Sequence, residues 1–191
     1  MPLAMSLTIT VVTTSCLDDL DRFPTNDITS EKVYATFEGY KEVMAKVYGS
    51  YSQVGNDLAS KDDITMGDGA SADFLRCFFN LQCLTTEEAM CTWTDSGIPD
   101  LNFMNWSSNN TFISGLYYRA LYQIALVNEF LRESTEGKVG ERGITGNEAA
   151  EIKYFRAEAR FLRAFQYWVL MDVYGNPPFV NVIIIAKITI I

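Results

Sequence analysis

Trp93 and Trp106 bracket a run of short polar side chains: Asp95, Asp100, Asn102 and Asn105 lie between them with Phe103, and Asn109 follows just beyond. An aromatic ring packs against the axial C–H face of a pyranose, while nearby amides and carboxylates take its hydroxyls. Trp93, Asp95, Asn102 and Trp106 are therefore the candidate sugar-contacting residues. The competing reading places Trp93 and Trp106 in the core of an irregular cap.

Other chemistries find less support. The 191 residues include no histidine, which removes the commonest general base, the histidine-activated nucleophiles and every histidine-containing zinc site. A glycosidase working with carboxylates alone would have to draw on acids such as Glu87, Glu88 or Asp95, and no spacing singles out a pair. The cysteines are Cys16, Cys77, Cys83 and Cys91, with no Cys-x-x-Cys among them. The last three read as small apolar side chains, the alternative being one disulfide plus a free thiol. No metal and no cofactor is expected.

Hydrophobic residues make up 48% of the chain and aromatics 13%, enough for a packed core. The net charge of −9 argues against a nucleic-acid partner, which needs clustered Lys and Arg, and against electrostatic docking on anionic lipid.

The elements that must position the tryptophans are helical. Val33, Phe37, Tyr40, Met44, Val47 and Tyr51 step by three and four, predicting a helix capped near Thr29 or Ser30 and running to about Val54. Residues 55–111 lose that period and read as a long irregular region, with short helical turns around Ala70–Phe79 and Thr86–Met90. A second helix is expected over Ile113–Arg132, with Leu116, Ala120, Ile124, Val127 and Leu131 on its inner face. Four glycines between 137 and 146 predict a loop, and Asn147 then caps a third helix over Glu148–Tyr174. Its inner stripe is Ile152, Phe155, Ala159, Leu162, Gln166 (the one polar break), Val169, Leu170 and Val173. Gly175 suits a left-handed cap, and Pro177 and Pro178 prevent continuation. Lys153, Arg156, Arg160 and Arg163 share another stripe, expected to pair with acids of a neighbouring helix. The second and third helices form an antiparallel pair that cannot bury both faces alone, and such units stack as repeats. The fold class is all-α.

At the start, the apolar run at 3–12, the small residues 13–15 and then Cys16 read as a lipoprotein-type signal peptide (1–15) with Cys16 as the lipid-attachment residue. A basic leader is missing, and an alternating buried strand is the competing reading. Residues 16–29, carrying Asp18, Asp19 and Asp21, read as an acidic tether.

Three blocks carry a family resemblance: Ser15-Cys16 with its acidic run, Asn102–Glu133, and Arg156–Val180 with its Arg-Ala-Glu-Ala-Arg-Phe-Leu-Arg-Ala and Tyr-Gly-Asn-Pro-Pro-Phe. With Thr85-Thr86-Glu87-Glu88, these make residues 15–180 resemble the SusD/RagB family of surface glycan-binding lipoproteins. The resemblance implies a non-catalytic protein of tetratricopeptide-like helix pairs over residues 30–180. It also implies lipid anchoring in the outer membrane, export to the cell exterior through the acidic cluster, an oligosaccharide ligand, and a SusC-like TonB-dependent transporter as partner. Two alternatives are a helical-repeat lipoprotein acting only through protein–protein contacts, and a truncated fragment without function. Family members are about three times longer, and the apolar 181–191 fits no helical repeat, so truncation or a shifted reading frame is expected there.

Overall fold

A computed structural model describes residues 29–52, 64 and 73–180. Seven helices are found among them: α1 (Ser30–Val33), α2 (Phe37–Gly49), α3 (Phe74–Cys83), α4 (Ile98–Asn102), α5 (Thr111–Glu133), α6 (Glu136–Glu141) and α7 (Gly146–Tyr174). The all-α expectation holds. The expected signal peptide (1–15), the expected lipid-attachment residue Cys16, the expected tether up to residue 28, the start of the turn expected from Ala70 and the apolar 181–191 lie outside the described residues.

The two long helices α5 and α7 form the spine. Tyr174 Oη reaches the Ile113 carbonyl, Arg163 donates to Asn128 Oδ1 at 2.7 Å, and Arg156 donates to the Leu131 carbonyl at 2.6 Å, so the pair runs antiparallel as its period implied. The inner stripe of α7 is buried at Ile152, Ala159, Leu162, Gln166, Val169 and Leu170, with Phe155 and Val173 packed at its edges. In α5, Leu116, Ala120, Ile124 and Val127 are buried and Leu131 is partly so. Helix α2 packs Tyr40, Met44 and Val47 against one half of the spine. Helix α3 packs Phe74, Cys77 and Leu81 against the other. The amide of Gln166 is fully buried without a hydrogen-bond partner, the cost of its place on an apolar stripe.

Several local expectations fail for identifiable reasons. The first helix is broken at residues 34–36, and the second piece starts at a new cap, where Thr36 Oγ1 accepts from the Gly39 amide. A Cβ at Gly39 would lie 1.7 Å from the Val33 carbonyl oxygen, so the kink needs glycine at that close approach. Helix α2 ends at Gly49, short of Val54. Thr86–Met90 is not helical, because Thr86 Oγ1 accepts from the Glu88 amide and holds a local turn. The glycine loop contains helix α6, with Gly137 and Gly140 inside it and Val139 buried beneath. Asn147 is not a cap: α7 starts at Gly146 after Thr145, and neither Asn147 nor Thr145 supplies a capping bond. Gly175 takes a positive φ of +78°, but its ψ of −67° lies outside the left-handed helical region, so the left-handed cap expected there is not formed. The basic stripe is only partly ionic. Lys153 pairs with Glu136 at 3.0 Å, whereas Arg156 donates to the Leu131 carbonyl and to Ser134 Oγ, and Arg163 donates to the Asn128 amide oxygen.

The α5–α6 corner is tied by Glu133, whose buried carboxylate receives Arg132, Lys138 and Arg142. Burial would raise its pKa, but the hydrogen bonds from Lys138, Arg142 and Arg132 outweigh that and hold it at about 2. At the other end of α7, the Tyr167 hydroxyl accepts from the Val180 amide and donates to the Val180 carbonyl, both at 2.8 Å. Asn128 Nδ2 donates to the same carbonyl at 3.0 Å. Among the described residues, no helix is long and apolar enough to cross a membrane.

Candidate functional site

The segment between α3 and α5 has little regular structure, so its shape rests on side-chain bonds to backbone. Asn110 caps α5 through Oδ1, accepting from the amides of Phe112 and Ile113, while its Nδ2 donates to the Gly97 carbonyl at 2.9 Å. Thr111 Oγ1 donates to the Ser96 carbonyl at 2.9 Å. Gly97 has φ +92°, and a Cβ there would meet both Asn110 and Thr111 at 2.9 Å, so glycine is required on two grounds. Ile98 and Leu101 of α4 anchor the segment in the apolar cluster beneath.

Of the four predicted sugar-contacting residues, Trp93 and Asp95 come together through a residue the sequence reading missed. Arg76 of α3 pairs with Asp95 at 2.9 Å and places its guanidinium 5.9 Å from the Trp93 ring centre. Phe112 lies 5.4 Å from the same guanidinium. Trp93 remains 64% exposed, so its alternative as a core residue does not hold. The result is a charged, aromatic surface patch.

Asn102 is occupied otherwise. Its Nδ2 donates to the Cys91 carbonyl at 2.6 Å and its Oδ1 accepts from the Cys91 amide at 3.3 Å, a backbone-like clamp that fixes the loop carrying Trp93. Nothing in the sequence distinguishes this asparagine from Asn105 or Asn109; the clamp requires the fold.

Trp106 is 43% exposed and lines a different feature, a cleft of about 560 Å³. Its walls come from the end of α3 (Leu81, Gln82), the Trp106-Ser107-Ser108 loop and the last turn of α7 (Asp172). Gln82 Nε2 donates to Asp172 Oδ2 at 2.7 Å on the rim. Trp93 and Asp95 are not among the residues lining this cleft. One aromatic wall facing hydroxyls, an amide and a carboxylate gives the cleft both an apolar platform and hydrogen-bonding groups for a neutral polyhydroxylated ligand. Gln82 and Asp172 were not legible as site residues, because one lies on α3 and the other 90 positions later on α7.

Catalytic chemistry gains nothing from this geometry. Glu87 and Glu88 are exposed on the turn after α3, and Asp95 is engaged by Arg76. Among the described residues Cys77, Cys83 and Cys91 form no disulfide; Cys77 is fully buried, and burial pushes its thiol up to about 12, so it stays an uncharged thiol. Among the described residues, no cluster of Cys, Asp and Glu could hold a metal ion.

No protein-family model matches the chain. The chain is 32% identical over 168 residues to the starch-binding protein SusD of Bacteroides thetaiotaomicron. The match covers 87% of this chain and 28% of that protein, so the chain spans somewhat more than a quarter of its relative's length.

Proposed function

We propose, from the premise that the chain belongs to the SusD-like family, that it is a non-catalytic glycan-binding protein taking up oligosaccharide at the outer surface of a bacterium. The observation that carries this reading is the kinship to a protein named for binding starch. Two exposed tryptophans on the segment between α3 and α5 support it, one beside an Arg–Asp pair and one in a polar cleft. Trp93 and Trp106 stack on pyranose faces, Asp95 and the cleft's polar rim take hydroxyls, and Asn102 contributes by holding the loop in shape. Lipid attachment at Cys16 keeps the protein on the outer membrane, and captured glycan passes to a SusC-like TonB-dependent transporter.

The test is retardation in native gels cast with soluble starch, followed by calorimetric titration with maltooligosaccharides. Trp93→Ala and Trp106→Ala should each weaken binding roughly tenfold, on the order of 1.4 kcal/mol, with helical circular dichroism unchanged. An absence of binding to starch and to a panel of other neutral glycans would overturn the reading and favour a purely protein-binding role. The broad exposed aromatic face of α7 is the observation favouring that second reading.

A further inference from the structure

Two glutamines interrupt the apolar core where α5 packs on α7. Gln123 of α5 is 1% exposed and Gln166 of α7 is fully buried. The antiparallel pairing sets them opposite each other. Gln166 lies three residues beyond Arg163, which meets Asn128, and eight before Tyr174, which meets Ile113, so it faces residues 121–125 of α5. The end of α2 closes the third side. Ser50 Oγ accepts from Gln123 Nε2 at 3.0 Å, and the Tyr51 hydroxyl donates at 3.3 Å to the Leu162 carbonyl, one turn before Gln166. Burial raises the pKa of the Tyr51 hydroxyl, and the neighbouring Gln166 amide opposes that rise.

These side chains form a polar layer between two apolar clusters. On α7, Leu162 belongs to the cluster around Tyr40 and Phe130, and Val169 to the one around Phe74 and Leu116. Tyr51 packs against both clusters, so the layer sits at their join. Three of its atoms have no hydrogen-bond partner among the described residues: Gln123 Oε1, Gln166 Oε1 and Gln166 Nε2. Both ends of the Gln166 amide are unpartnered, so exchanging its oxygen and nitrogen leaves the same deficit. An amide stranded at both ends in an apolar core carries its full desolvation penalty. Protein interiors relieve such deficits with ordered water, each molecule making about three hydrogen bonds to buried polar groups.

We propose that Gln123 and Gln166 hold one internal water molecule at the junction of α2, α5 and α7. Water donates to the two amide oxygens and accepts from Gln166 Nε2, so a single molecule satisfies all three atoms. A cation would be repelled by the Nε2 hydrogens, and an anion by the two carbonyl oxygens. Immobilising one water costs less than stranding three polar atoms among apolar side chains. The site is independent of any glycan.

In a crystal structure at atomic resolution, a single water peak should stand within hydrogen-bond distance of Gln123 Oε1 and the Gln166 amide. Magnetic relaxation dispersion of water oxygen should detect the same molecule in solution by its long residence. The double exchange Gln123→Met with Gln166→Met keeps side-chain length while removing both amides, and it should lose the signal of one such water. Circular dichroism checks that the exchanged protein keeps its helices; where it does not, the density in the unaltered protein decides alone. A direct bond between the two amides with no density between them overturns the proposal, as does another side chain filling the position. A dispersion amplitude that the double exchange leaves unchanged in a folded protein also overturns it.

Discussion

The α5–α7 spine and the segment between α3 and α5 are held by different physics. The spine is a periodic apolar contact: Phe130, Leu126 and Val127 of α5 meet Ile152, Ala159 and Leu162 of α7, and each is one of many interchangeable neighbours. The segment from Thr85 to Asn110 is anchored at Ile98 and Leu101 but otherwise shaped by a few specific polar contacts, among them the paired Asn102–Cys91 bonds and Asn110 to Gly97. Stability in the first region is distributed, while shape in the second is concentrated in a few atoms. The tryptophans lie in the second region, where a loop can present aromatic rings to solvent at little cost to the core.

That contrast can be broken hardest from the spine. Phe130 is fully buried and packs edge-on to Tyr40 at 6.2 Å. Phe130→Ala should lower the unfolding free energy by about 3–5 kcal/mol in urea melts, with the transition remaining single if the spine is one cooperative unit. Two separated transitions would show that the halves of the spine unfold independently.

Acid is the next lever, because it acts on the corner and spares the loop clamps. The Glu133 carboxylate titrates near 2 in the fold against an ordinary value near 4.5. Its contribution is therefore complete above pH 4.5 and lost as pH falls toward 2. Between those limits it amounts to about 3 kcal/mol. Glu133→Gln should flatten the stability–pH curve over that window while lowering it at neutral pH. An unchanged slope would show that the three cations do not hold the carboxylate.

The smallest effect should come from the loop, and it sharpens the contrast best. Asn110→Ala removes the α5 cap and the bond to Gly97, costing about 1 kcal/mol globally. Amide exchange in 95–110 should rise well beyond what that figure implies, while exchange in α7 stays near the wild-type rate. Uniform acceleration through both regions would mean that the loop and the spine form one unit.

How much was legible follows the same division. The inner stripe of α7 could be read from spacing alone, including the register of Gln166, because period and burial are one signal in a long helix. The break at 34–36 could not, since it depends on the Val33 carbonyl seated against Gly39, a contact that no period encodes. Helix α6 was hidden by its glycines, which predict a loop until Val139 finds a pocket between α5 and α7. For the site, the sequence pointed to the segment between α3 and α5 and to Trp93 and Trp106, which the structure exposes, but not to their separation into a patch and a cleft. Arg76, Gln82 and Asp172 enter only through tertiary packing of α3 and α7. Asn102 was read as a ligand contact, whereas its amide is spent on Cys91, and composition cannot separate those roles.

The pair of hydrogen bonds between Tyr167 and Val180 has a mechanical meaning. A pull on the backbone at Val180 does not first unwind the last turn of α7 from Gly175. The load enters through the Tyr167 hydroxyl and the Asn128 amide, part-way along α7 and α5, and crosses to Arg163 through Asn128. The two helices are thus loaded side by side in shear, with several bonds strained together. The stretch from Gly175 to Phe179 lies between those anchor points and the end of α7, so the load at Val180 reaches the helix side chains before it reaches the turn that ends the helix.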